Sequence, residues 1–107
     1  MEGKAIGKGE KMERTETIGG VEFVFKTFSL SRYYEIREKL EKTGDRVAFE
    51  RELIFNTISS WNRRDQNGNP IPLTMQALFE FLTLADYAKI DRIVREVNRL
   101  DELEKKT

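Results

Sequence analysis

Glu16-Thr17-Ile18-Gly19-Gly20-Val21-Glu22-Phe23-Val24-Phe25-Lys26 is the stretch on which the fold turns. Two β-prone runs flank a Gly-Gly pair, and a two-residue primed turn needs φ > 0 at both central positions, which glycine adopts without steric cost. The spacing therefore predicts a β-hairpin. In its second strand Val21, Phe23 and Phe25 share one face, while Glu22 and Lys26 lie on the other. The first strand, around residues 12–18, has only Met12 and Ile18 as strong apolar anchors. A lone hairpin is marginal in water, so its Phe face must pack on other elements.

Those elements read as helices. Ser31 is the expected N-cap of a helix to about Lys42, with Gly44 as its stop and Tyr33, Ile36 and Leu40 as its apolar stripe. Asp45 caps a second helix expected to reach about Trp61. Its stripe is Val47, Ile54, Ile58 and Trp61, broadened by Ala48 and Phe55, and Phe49 and Leu53 pair on another side. Residues 62–73 hold both prolines and Asn67-Gly68, so no helix crosses them. Thr74 caps a short helix over residues 75–84. Asp86 caps a last one, expected from Tyr87 to about Leu103, with Tyr87, Ile90, Ile93, Val94, Val97 and Leu100 on one face. Asp91 with Arg95, and Glu102 with Lys106, stand at favourable i,i+4 spacing, and Lys105 and Lys106 suit the negative end of the helix dipole. The expected fold class is α+β, mostly α, with an N-terminal β-hairpin packed on a small bundle of about four helices. At 107 residues the chain fits one domain. Residues 1–11, with Gly3, Gly7 and Gly9 among alternating charges, read as a flexible arm, and residues 12–107 as the domain.

Composition excludes several classes of function. Cysteine and histidine are absent, which removes disulfides, thiolate nucleophiles, zinc fingers and imidazole-based triads. Nineteen basic residues balance nineteen acidic ones, which argues against a polyanion held by bulk charge. No apolar run approaches a membrane span or a signal-peptide h-region, so the expectation is a soluble, intracellular protein with no membrane partner. Gly7-Lys8-Gly9 lacks the spacing of a phosphate loop. Asp65, Asn67 and Asn69 alternate like calcium ligands, but Pro70 and Gln76 stand where an EF-hand needs glycine and glutamate, which leaves a polar turn with Asx hydrogen bonds. The carboxylate couples Glu35/Glu38 and Glu50/Glu52 sit on solvated helix faces. Nothing points to an enzyme, a cofactor or a metal. Trp61, Arg63 and Arg64, with Arg92, Arg95 and Arg99 along one helix, raise the alternative of a small nucleic-acid-associated regulatory protein. Interleaved Asp91, Glu96 and Glu102 cancel that field, and Trp61 lies on an apolar stripe.

The short helix over residues 75–84 is the anomaly. Met75, Leu78, Phe79 and Leu82 make one apolar face, Ala77, Phe81 and Leu84 occupy other sides, and only Gln76, Glu80 and Thr83 are polar. Such a helix is either sandwiched within the domain or presents a face to a partner.

The order of these features resembles the tail assembly chaperones of long-tailed bacteriophages. The residues that carry the likeness are Phe23-Val24-Phe25-Lys26, then Trp61-Asn62 at a helix end, then the loop from Asp65-Gln66-Asn67-Gly68 through Asn69-Pro70-Ile71-Pro72-Leu73-Thr74, followed by a helix pair. It spans about residues 17–100. The resemblance implies a non-enzymatic protein of the infected host cell cytoplasm, absent from the mature virion. Its partners would be the tail tube protein and the tape measure protein, and it would be able to form a homo-oligomer. Phe79, Phe81 and Leu84, with Pro70 and Ile71 of the loop, are then expected on or beside the client surface. A structural head–tail connector subunit is a further alternative.

Overall fold

The computed structural model describes residues 13–100. Three strands and four helices follow one another as β1 (Glu13–Ile18), β2 (Val21–Lys26), α1 (Leu30–Thr43), α2 (Arg46–Thr57), β3 (Ile58–Trp61), α3 (Met75–Phe81) and α4 (Leu84–Asn98). The fold is α+β and mostly α, with the expected N-terminal hairpin packed on helices. The expected arm at residues 1–11, the Met12 anchor, the Glu102–Lys106 pair and Lys105 lie outside the described residues. The last helix, expected to run to about Leu103, ends instead at Asn98, where Arg99 turns left-handed (φ +53°) and its amide donates to the carbonyls of Arg95 and Glu96.

The hairpin has the predicted register. Ile18 pairs with Val21 across Gly19 and Gly20, whose φ values are +60° and +81°. Val21, Phe23 and Phe25 are buried, and Glu22 and Lys26 face solvent. Arg14 and Glu16 share the inner side of the weakly apolar β1. Arg14 donates to Glu16 and, across the edge of the sheet, to Glu96 of α4, each at 2.7 Å. These hydrogen bonds hold the guanidinium pKa above its ordinary value.

The sheet has a third strand that periodicity misses. The second helix ends at Thr57, not Trp61, and Ile58–Trp61 pairs antiparallel with β2 to give the order β1-β2-β3. Phe23 lies opposite Trp61 and Phe25 opposite Ile58, with a register shift between Val24 and Phe25. Alternation would send Ile58 and Trp61 to opposite faces; the bulge returns both to the Phe face.

Tertiary packing also moves the expected face of α2. Phe49, Leu53, Ile54 and Thr57 are buried, whereas Val47, expected on the main stripe, is 60% exposed. The face that wins is the one that meets α1 and α4 together. Thr57 is fully buried but satisfied: its hydroxyl donates to the Leu53 carbonyl and accepts from Asn98 of α4, both at 2.8 Å. Asn98 also accepts from the Phe28 amide, so one polar hub ties α2, α4 and the segment between β2 and α1.

Two helix starts differ from expectation. Ser29, not Ser31, caps α1, its side chain accepting from the Arg32 amide. Thr83, not Asp86, caps α4, while Asp86 reaches back to the Thr83 amide and completes a capping box. The short helix therefore stops at Phe81, with Leu82 extended, and Leu84 belongs to the first turn of α4. Asp45 and Thr74 cap α2 and α3 as read. Tyr33, Ile36, Ile90, Ile93, Val94, Val97 and Leu100 are buried as predicted, and Tyr87 packs against them partly buried.

Candidate interaction surface

The segment that carries α3 is built on the end of β3. Asn62 prolongs the pairing, donating its amide to Glu22 and accepting from the Glu22 amide through its side chain. The chain then turns back on itself. Asp65 Oδ1 accepts from the amides of Asn67 and Asn69 at 2.8 and 2.9 Å, and the Gly68 amide donates to the Asp65 carbonyl. Asp65, Asn67 and Asn69 thus make an Asx-stabilised turn. Among the described residues, no group of three or more acidic, His or Cys residues is placed to hold a metal ion.

The returning limb docks on the tryptophan. Trp61 donates its indole N–H to the Ile71 carbonyl at 2.8 Å, and the Ile71 amide donates to the Arg63 carbonyl at 3.0 Å. The Trp61 ring meets Phe23 and Phe81 edge-on, at centroid distances of 5.8 and 6.0 Å. Arg63 covers this stack, 4.7 Å from the Phe81 ring and 5.7 Å from the Trp61 ring.

Helix α3 resolves into an inner and an outer side. Leu78 is fully buried, whereas Phe79, Phe81 and Leu82 are half-buried. On the outer side an open groove of about 380 Å³ lies between the first turns of α2, the end of α3 and the first turn of α4. Val47, Phe79, Leu82, Leu84 and Tyr87 supply its apolar walls, with Glu50 and Arg51 beside them. Leu84 is 89% exposed. The Arg51 guanidinium stands 5.6 Å from the Phe79 ring centre. The Tyr87 hydroxyl donates to Glu50 across the groove at 3.0 Å. Burial first, and then this bond, push the Tyr87 phenol up to about 12.

The five residues expected at a client surface are therefore divided. Phe79 and Leu84 share the groove. Phe81 faces the other way, into the Trp61–Arg63 stack, and Ile71 is held against that same tryptophan. Pro70 is exposed on the returning limb, bridged to Arg64. Val47, Leu82 and Tyr87 join the groove although sequence periodicity assigns Val47 and Tyr87 to core stripes. The sequence signal for this surface is the nearly all-apolar run over residues 75–84, which holds Phe79, Leu82 and Leu84. Of the arginines considered for nucleic acid, Arg92 is exposed, Arg95 pairs with Asp91 at 3.6 Å, and Arg99 forms the C-cap of α4.

The chain matches no known protein family, no curated protein and no solved structure. Among the described residues, no helix is long and apolar enough to cross a membrane.

Proposed function

We propose that this protein is a non-enzymatic binding protein that acts as a tail assembly chaperone of a long-tailed bacteriophage, covering apolar surface of the tail tube or tape measure protein during virion assembly. The observation that carries this reading is the open apolar groove beside α3, with Leu84 left 89% exposed at its lip. A chaperone for an oligomerising subunit needs such a surface to cover its client and a charged exterior to stay soluble itself. The order of hairpin, tryptophan-anchored loop and helix pair supports the assignment through its resemblance to that family.

The test is co-expression with the tail tube and tape measure proteins of the same genome. Wild-type chain is expected to co-purify with one of them, and Leu84→Glu to lose it while keeping native circular dichroism, because Leu84 buries almost nothing in the fold. Absence of co-purification with both proteins, or equal capture by Leu84→Glu, would overturn the reading. Retention of the chain in purified particles would instead favour a structural connector subunit.

A further inference from the structure

Asn67-Gly68 is the one Asn-Gly step in the chain, and the fold places it in the exposed turn between β3 and α3. Asparagine is thermally labile, most of all before glycine, where no side chain shields the next backbone nitrogen. That nitrogen gives up its proton to solvent base and attacks the asparagine Cγ. The N–Cγ bond forms, the Cγ–Nδ2 bond breaks, and ammonia leaves, taking back a proton from solvent. Water then opens the succinimide. Cleavage of its Cγ–N bond gives aspartate, and cleavage of the original peptide C–N bond gives isoaspartate, whose main chain runs through Cβ and Cγ. Water is the co-reactant, and nothing is oxidised or reduced.

The two reacting groups are restrained differently. The Asn67 carboxamide is exposed and has no hydrogen-bond partner among the described residues. Around Gly68 nothing lies within 4 Å of where a Cβ would stand. The Gly68 nitrogen is engaged, its N–H donating to the Asp65 carbonyl at 2.9 Å. The Asp65 carboxylate keeps this turn closed, because its Oδ1 accepts from the amides of both Asn67 and Asn69. Loss of the Gly68 proton therefore needs a local opening of the turn. Asn69 shares the turn but precedes Pro70, whose nitrogen has no proton to lose, so this route is closed to it.

We infer that Asn67 is a site of spontaneous deamidation, with isoaspartate among its products, and that the Asp65 turn sets its rate. Isoaspartate adds a methylene to the main chain of the turn and leaves a free carboxylate beside Asp65. The turn can then no longer close in register. The limb it returns carries Ile71, whose carbonyl holds the Trp61 indole at 2.8 Å, so the change is expected to reach the tryptophan. The inference stands apart from whatever partner the chain binds.

The test is to age the full chain in mildly alkaline buffer, locate the conversion of amide to acid by mass spectrometry of its peptides, and count isoaspartate with a methyltransferase specific for it. Conversion is expected at Asn67 and not at Asn69. D65A is expected to convert roughly tenfold faster, because it loses two hydrogen bonds to a charged acceptor, and its Gly68 amide to exchange hydrogen faster by a similar factor. Unchanged exchange at Ile90 shows that this variant keeps its fold. D65N retains the acceptor oxygen and is expected to stay near wild type, which separates the turn from the loss of a charge. In urea, wild type and D65A are expected to convert at one rate. A folded chain unmodified at Asn67 when the urea-unfolded chain is fully converted, conversion at Asn69 as fast as at Asn67, or equal rates for folded wild type and D65A would overturn the inference. Unchanged Trp61 emission in the isoaspartate form would overturn the link from turn to tryptophan.

Discussion

Gly19 shows how a single position couples the sheet to the interaction surface. Its φ of +60° is required by the turn, and a Cβ built there would lie 3.2 Å from the Phe81 ring and 3.2 Å from the Asp86 carboxylate. Its neighbour Gly20 has φ +81° but nothing within 4 Å of the same added atom. An L-residue in the left-handed region costs about 1–2 kcal/mol. Gly20→Ala is expected to lose about 1 kcal/mol of stability from that term alone, while Gly19→Ala adds crowding for a loss of about 2 kcal/mol or more. Urea unfolding followed by Trp61 fluorescence compares the two, and equal losses would show that Phe81 and Asp86 do not hold the turn. The Gly-Gly pair made the hairpin legible in the sequence. Its contact with Phe81 was not, because the two positions are 62 residues apart and no local pattern joins them.

At the scale of elements, the third strand has a tertiary origin. Ile54, Ile58 and Trp61 fit helical spacing, yet the exposed edge of the Phe-bearing strand takes the last two as a third strand, so tertiary pairing overrides the local period. The hairpin, the four helices and most of their buried faces could be read because each rests on a repeated local signal. The groove could not, because its walls come from three helices and depend on where two of them begin. Thr83 decides the last of these. Its hydroxyl accepts from the Asp86 amide at 3.1 Å, and Asp86 accepts from the Thr83 amide at 3.3 Å, the threonine-x-x-acid pattern of a capping box. Thr83→Ala is expected to cost about 1 kcal/mol. Fraying of this turn also releases Leu84 and Tyr87, so hydrogen exchange should accelerate first at residues 84–87. Unchanged exchange there would show that packing on Ile90 and Ile93 fixes the turn without the cap.

For the whole molecule, nineteen cations balance nineteen anions, and among the described residues many of them meet in pairs. Glu13 meets Lys26 across the hairpin, Arg32 and Lys39 of α1 converge on Glu52 of α2, and Arg14 joins β1 to Glu96 of α4. Exposed pairs of this kind add little stability, but each offsets the local charge of both its partners. Binding to a nucleic acid duplex draws its affinity from cations that displace the counterions of phosphates, and each carboxylate beside a cation opposes that displacement. On α4, where the alternative reading looks for phosphate contacts, Arg95 is already paired with Asp91 and Glu96 with Arg14. The chain is therefore expected to give no gel shift with duplex DNA or RNA at roughly 50 mM salt, a condition under which basic proteins bind even non-specifically. A shift that weakens steeply as salt rises, and that Arg92→Ala reduces, would show that α4 acts as a cationic face in spite of its carboxylates and would favour a nucleic-acid role over the one proposed.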